Sequence, residues 1–414
     1  MALRRKIPPN AYTAVSRKCC HAVRRLPVRK ACPLMSAPLP LAGVKVVEIC
    51  HSIAGPYAGS ILAQLGADVV KVEHPTKGDD ARKWAPPFLY GTSAIFQAMN
   101  RDKRGISVDM KSADECAELR RFIIEEVDVV VQSLRPGAVD KLGIDGAGLL
   151  AEKPSLVYCN LGAFGSVGPL KDKPGYDPLM QARSGLMSLT GEDGREPVRI
   201  GTSIIDMGTG MWVAIGVLSA LVQRGVTGRG SLIDASLYET SLAWMNAHIT
   251  GFLASGETRQ RMGSGVAEIV PHQAFATSDG YIMVAAGNDN LFPRLAHILE
   301  RPDWLQDERF LDNVARVKNR AALIPLIQNI FVTRPSETWL QMLDAGGVPA
   351  SPLQTVDQVV NDPQTAALGI IQRVPDLEMQ LLGLPLSFNG VRPPLRRRAP
   401  EPGEHNHQIL KPHV

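Results

Sequence analysis

Asp206 is the side chain in this sequence best placed to do chemistry. It follows the Gly- and Pro-dense stretch 162–201 and immediately precedes Met207–Val222, an uncharged apolar run that reads as a helix. An acid at a helix start commonly caps exposed backbone N–H groups. The same carboxylate can instead attack an activated carbonyl and carry the acyl group. Gly208 and Gly210 would then let a substrate carbonyl approach the backbone, whose N–H groups steady a developing oxyanion. An amide-rich helix start would keep the acid ionised, so the two roles are compatible.

Other chemistries find little support. There is no phosphate-cradling GxxxxGK[ST], no GxSxG elbow and no HExxH. Gly59–Gly66 follows a strand-like run but lacks the glycine triplet of a dinucleotide site. The six cysteines (19, 20, 32, 50, 116 and 159) show no CxxC or metal-ligand spacing and read as reduced thiols. His405 and His407 are close in sequence but read as part of a solvated tail. No metal and no resident cofactor are expected.

The elements that must position Asp206 follow from the apolar patterning. Short buried-type runs at 44–49, 68–73, 106–109, 128–132 and 156–160 alternate with helical stretches ending at Leu65, at 113–126 and at 143–152. Such alternation specifies an α/β fold, a mostly parallel sheet covered on both faces. It stops near residue 165, apart from a strand at 232–234. The run 207–222 is nearly long enough to span a membrane but reads as a helix buried in a soluble core. From about 255 the texture changes: strands at 272–277 and 280–286 flank the turn Ser278-Asp279-Gly280, and helices dominate 290–343. The expected organisation is a basic leader (1–40), a large α/β domain (41–230), a small α+β domain (255–350) and a C-terminal return (374–414) packing on the large domain.

With 414 residues, 45% hydrophobic and 21% charged, the chain has the composition of a soluble globular protein. Its net charge of +4 comes from the leader, which holds nine Lys or Arg and no acid; the remainder carries 36 basic against 41 acidic side chains. That body excludes a nucleic-acid-binding surface of ordinary type. The leader has three readings: a mitochondrial-type presequence, though Pro8, Pro9 and Pro27 interrupt a helix; a basic arm; or translated upstream sequence, with Met35 the true start. The expected location is cytoplasmic, or the mitochondrial matrix if the leader is a presequence.

The run VKVVEICHSIAGPYAGSILAQLGADVVKVEHPTKGDD (44–80) resembles the opening of the family III CoA-transferases. NRDKRGISVDMK (100–111), LRPGAVDKLG (134–143), GYDPLMQARSGLMSLTG (175–191), IGTSIIDMGTGM (200–211) and TGRGSLIDASL (227–237) resemble family motifs in the same order. The resemblance covers about 40–410. It implies a Rossmann-like large domain, a homodimer of interlocked rings, and an acyl-CoA and a small carboxylic acid as substrates, with no nucleic acid or membrane partner. Asp206 falls on the family's nucleophile in a D-x-x-x-G stretch. It would form a mixed anhydride with the donor acyl group, then an aspartyl-CoA thioester. His74 falls where many relatives carry Arg near the adenine-phosphate end of CoA, and Lys111, Arg135 and Lys141 fall on stretches lining the CoA groove. Ile53 stands where some relatives have Gln near the acyl group; Tyr176, Asp177 and Gly208 fall on substrate-lining stretches. Gly263-Ser264-Gly265 is a candidate lid, shorter than the tetraglycine loop of formyl-CoA transferases.

KWAPPF (83–88) with AEIVPHQAFATSDGYIMVAAGNDNLF (267–292) looks most like the branch that moves CoA between succinyl-CoA and another dicarboxylic acid such as glutarate. Two alternatives remain. A 2-methylacyl-CoA racemase of the same fold would need a His where this chain has Tyr176. A non-catalytic CoA-binding protein would bind CoA without using Asp206.

Overall fold

The computed structural model describes residues 38–410. The expectations for the basic leader therefore lie outside the described residues. Six strands form one wholly parallel sheet: β1 (Lys45–Ile49), β2 (Asp68–Glu73), β3 (Arg104–Ser107), β4 (Val129–Gln132), β5 (Val157–Gly162) and β6 (Leu232–Ser236). Their spatial order is β3-β2-β1-β4-β5-β6. The order reverses between β1 and β4, so the crevice outside the carboxyl ends of these two strands is the natural ligand position. β6 extends the sheet just beyond 230, after a long excursion through helices.

Strand alternation divides the apolar side chains between two faces. Val46, Val69, Val131 and Val157 point to one face, where α1 (Ala54–Gln64) contributes Ala58 and Leu62. Val47, Val70, Ile106 and Val130 point to the other, against Leu119, Phe122 and Ile123 of α3 (Ala113–Glu126). α2 (Ala94–Asn100) comes before β3, and α4 (Ala138–Lys141) and α5 (Gly146–Glu152) come between β4 and β5. Two short helices, α6 (Asp177–Arg183) and α7 (Leu186–Leu189), lead to α8 (Ile204–Thr227). α8 ends at Gly228, whose φ of 71° closes the last turn through its N–H to Arg224 O at 2.8 Å. α9 (Leu237–Trp244) and α10 (Asn246–Ser255) follow β6.

The apolar helix differs from its expected burial. Val213, Ala214 and Val217 of α8 pack into the sheet-facing core, but Trp212 is 49% and Val226 85% exposed in the single chain. One stripe is covered and the opposite one is not.

A second antiparallel sheet, β7 (His272–Ala276), β8 (Tyr281–Ala285) and β9 (Ala350–Pro352), is packed by helices α11 (Leu291–Ile298), α12 (Asn313–Lys318), α13 (Arg320–Phe331) and α14 (Ser336–Ala345). Its core includes Phe275, Trp304, Phe331 and Trp339, the last two with ring centroids 5.1 Å apart. The chain end then returns to the edge of the large sheet. Asp102 Oδ1 accepts the N–H groups of Arg396 and Arg397, and Asn406 Oδ1 accepts Ser107 N–H. His405 is correspondingly not a solvated tail residue: its Nδ1 accepts the Gly105 N–H at 3.2 Å, covering the exposed edge of β3.

Candidate active site

α8 runs opposite to the strands it connects, so its first turn lies at their carboxyl edge, with the loop after β1 and the loops after β2, β3 and β4. Asp206 is the third residue of α8. The carboxylate that caps this helix is not its own. Asp177 Oδ2 accepts the N–H groups of Ile205 at 2.7 Å and Asp206 at 3.2 Å, and Gln181 donates to Asp177 Oδ1 at 2.6 Å. Gln181 Oε1 in turn accepts the N–H of Ile200, clipping the preceding loop to α6.

Asp206 is thereby left a half-buried acid without helix amides to neutralise it. No described residue donates a hydrogen bond to its carboxylate. Burial, and after it the neighbouring Asp177 charge, push its pKa up to about 7. The helix amides expected to keep Asp206 ionised serve Asp177 instead. A carboxylate of this kind is more basic than usual and sparsely solvated, which favours attack on carbonyl carbon.

The glycines of α8 serve close packing. A Cβ at Gly208 would lie 2.8 Å from Trp244 Nε1, so the space expected for a substrate carbonyl is taken by α9. A Cβ at Gly210 would lie 2.6 Å from the Ala54 carbonyl oxygen. Gly210 is one turn beyond Asp206 on the same helix face, and it packs on the first turn of α1, whose N-cap residue is Ile53. Tyr176, N-cap of α6, is 63% exposed. Asp177 is buried, with both carboxylate oxygens committed to protein N–H groups.

The proposed CoA-contacting residues follow three strands of the large sheet, β2 and β3 on one side of β1 and β4 on the other. His74 follows β2, and its Nδ1 accepts N–H groups of Thr76 and Lys77 at 3.2 and 3.4 Å; its Nε2 is 4.0 Å from Asp109. Lys111 follows β3, and Arg135 and Lys141 follow β4. These three are exposed, and none pairs with a carboxylate among the described residues. The candidate lid is held down: Gly263 N–H donates to Gly191 O at 2.8 Å and Ser264 Oγ accepts the Ala274 N–H at 2.9 Å.

Sequence reasoning passed over Glu48, Lys71, Asp79 and Lys103, all buried beneath the loop after β1. The one sequence sign, for two of them, is a charge set among buried valines: Glu48 in KVVEI and Lys71 in DVVKVE.

Comparison with known proteins gives a coherent picture. The profile of CoA-transferase family III matches residues 41–406. A succinate–glutarate CoA-transferase from Agrobacterium fabrum is 35% identical over 383 residues, covering 90% of this chain and 95% of its own length. A human succinyl-CoA:glutarate CoA-transferase is 32% identical over 375 residues, covering 90% and 85%. The crystal structure of a CAIB/BAIF family protein from Brucella suis superposes with a TM-score of 0.81 at 39% identity, covering 90% of this chain and 99% of that one.

Proposed function

Because the chain belongs to CoA-transferase family III, an enzyme of the CoA-transferase type, we propose that it carries CoA from succinyl-CoA to a second small dicarboxylic acid, glutarate first among them, through covalent intermediates on Asp206. The observation that carries this reading is the setting of Asp206: half-buried at the start of α8, with no hydrogen-bond donor to its carboxylate among the described residues, while burial and the Asp177 charge raise its pKa.

In the proposed sequence an Asp206 carboxylate oxygen adds to the thioester carbonyl; the C–S bond breaks and CoA leaves as thiolate, giving a mixed anhydride. The thiolate then attacks the aspartyl carbonyl, and the donor acid departs as carboxylate. The acceptor carboxylate attacks the resulting aspartyl-CoA thioester, forms a second anhydride and again releases thiolate. Attack of that thiolate on the acceptor's carbonyl yields the new acyl-CoA and frees Asp206. Each step exchanges one activated acyl bond for another, so the incoming thioester supplies the activation. Water would divert either intermediate, and the half-buried setting of Asp206 limits its access.

Lys111, Arg135 and Lys141 are proposed to meet CoA phosphates at the carboxyl edge of the sheet. The succinyl and glutarate assignments draw on the names of the two transferases above and on the motifs at 83–88 and 267–292. Incubation with succinyl-CoA and a panel of acids, with products separated by chromatography, tests them. Glutaryl-CoA formed in preference to monocarboxyl-CoA products supports the reading; ready exchange among monocarboxylates with succinyl-CoA ignored removes it.

The uncovered stripe of α8, with Phe252 and Leu253 of α10 also exposed, is proposed to be covered by a second copy of the chain. Isolated apolar side chains are ordinary on a surface, but a stripe along a 24-residue helix is not.

A further inference from the structure

Four ionic side chains that take no part in the proposed acyl-transfer steps are shut away from solvent on the α1 side of the sheet. Glu48 and Lys71 are directly opposite each other on β1 and β2. Lys71 Nζ lies 3.3 Å from Glu48 and 2.9 Å from Asp79, and Lys103 Nζ lies 2.6 Å from Glu48. Glu48, Lys71 and Lys103 have no exposed surface and Asp79 has 2%. Burial pulls Lys103 down to about 8 against the pull of Glu48. Burial pushes Asp79 upward, yet Lys71 and two backbone N–H groups hold it below the usual carboxylate range.

Such a cluster is an expensive way to fill a core, because apolar residues of similar volume commonly serve stability as well or better. Its contacts point to a different use. Lys71 Nζ donates to Cys50 O at 2.8 Å, Asp79 Oδ1 accepts the Ser52 N–H at 3.0 Å, and Lys103 Nζ donates to Pro56 O at 2.7 Å. Three backbone groups of one seven-residue segment are gripped from below. Ser52 is held there at φ 70°, a left-handed conformation that a non-glycine residue keeps only when its surroundings impose it. Glu48 reaches further, against α1: a Cβ on Gly59 would lie 1.9 Å from Glu48 Oε2. The gripped segment contains Ile53, and its Ala54 carbonyl is the atom that meets Gly210, one turn from Asp206.

We infer that the Glu48–Lys71–Asp79–Lys103 network is a positioning device for acyl transfer, setting Ile53 and the first turn of α1 against the face of α8 that bears Asp206. The inference rests on Asp206 as the acyl carrier. The network touches no substrate; it acts through the loop. Its ionic character matters because charge-assisted bonds to backbone fix position more tightly than apolar packing does.

The test compares Asp79→Ala, which removes the acceptor for Ser52 N–H, with Asp79→Asn, which retains an amide oxygen for it. The readouts are steady-state kinetics with succinyl-CoA and glutarate, and the single-turnover rate of trapping an adduct on Asp206. Asp79→Ala is expected to lower kcat and the trapping rate by ~10- to 100-fold with KM for succinyl-CoA within ~3-fold, as sub-ångström misplacement does. Asp79→Asn is expected to recover to within ~5-fold of the parent, since its amide oxygen can still accept the same N–H. Lys103→Met, which frees Pro56 O and also removes the partners of Glu48 and Asn100 Oδ1, carries the same expectation if Asp79→Ala does not fold. A folded Asp79→Ala or Lys103→Met protein that forms the adduct at the parental rate, or loses activity only through KM, overturns the positioning role. Absence of any Asp206 adduct in the parent overturns instead the reading on which it rests.

Discussion

Asp177 binds with one carboxylate oxygen the backbone N–H groups of Ile205 and Asp206, so the acid that starts α8 sits against the acid that the helix presents. One carboxylate takes the helix amides, and the other is left basic by burial and by its neighbour's charge. Two acids in one place acquire different tasks from their surroundings alone.

Neutralising Asp177 therefore alters Asp206 from a distance. In Asp177→Asn the repulsion is gone, so the raised pKa of Asp206 falls and the acidic limb of kcat/KM against pH moves to lower pH than in the parent. A pH profile measured with saturating acceptor reads the shift; an unmoved limb contradicts the coupling.

Asp206 also leaves a pH signature in stability. Its pKa is raised in the folded state, to about 7, so the stabilising contribution of its neutral form is complete below the unfolded value. That contribution fades as pH rises from there through the folded value. Asp206→Asn mimics the neutral acid. Its stability should exceed the parent's by ~1–3 kcal/mol at pH 8, after discount for partial exposure, and match it near pH 4. Urea denaturation at the two pH values measures the difference.

Gly210→Ala places a methyl group 2.6 Å from the Ala54 carbonyl, which is backbone and must shift. A loss of ~1–3 kcal/mol is expected, with a fall in kcat because α1 is displaced from Asp206. Gly225→Ala, in the same helix but with no atom within 4 Å of the new Cβ, should instead gain ~0.5–1 kcal/mol through helix propensity. Thermal and denaturant unfolding of the pair separate close packing from propensity.

Replacing Lys111, Arg135 or Lys141 by Ala is expected to raise KM for succinyl-CoA by ~3- to 10-fold each with kcat nearly unchanged, since phosphate contacts far from the carbonyl bind both ground and transition states. The rise should shrink as ionic strength increases. A kcat effect without a KM effect would remove them from the CoA contact set.

Trp212→Glu places a charge on the uncovered stripe of α8. Sedimentation velocity should show the parent as a dimer and this variant shifted toward the single chain, because burying an unpaired carboxylate opposes association. A parent that sediments as a monomer at micromolar concentration contradicts the proposed second copy.

Much of the large sheet was legible in the sequence because its strands are continuous buried runs separated by punctuated helices. The expected 68–73 and 113–126 coincide with β2 and α3. The runs at 44–49 and 128–132 differ from β1 and β4 by one residue. Asp206 was legible as a position, since a lone acid before an apolar run stands out. Its surroundings were not, because Asp177 is twenty-nine residues away and a cap supplied across that separation leaves no local pattern. The charged network escaped for the same reason: Glu48, Lys71, Asp79 and Lys103 meet only after the strands pair. The half-covered state of α8 was hidden because an apolar stripe reads the same whether its neighbour is in the same chain or another.

The most direct measurement is mass spectrometry of the protein after succinyl-CoA and hydroxylamine, without acceptor, followed by peptide mapping. Residue 206 should be recovered as its hydroxamate in the parent, with none in Asp206→Asn, which should also lose transfer activity. An unmodified Asp206 in a protein turning over succinyl-CoA, or an Asn variant transferring at the parental rate, would contradict the account.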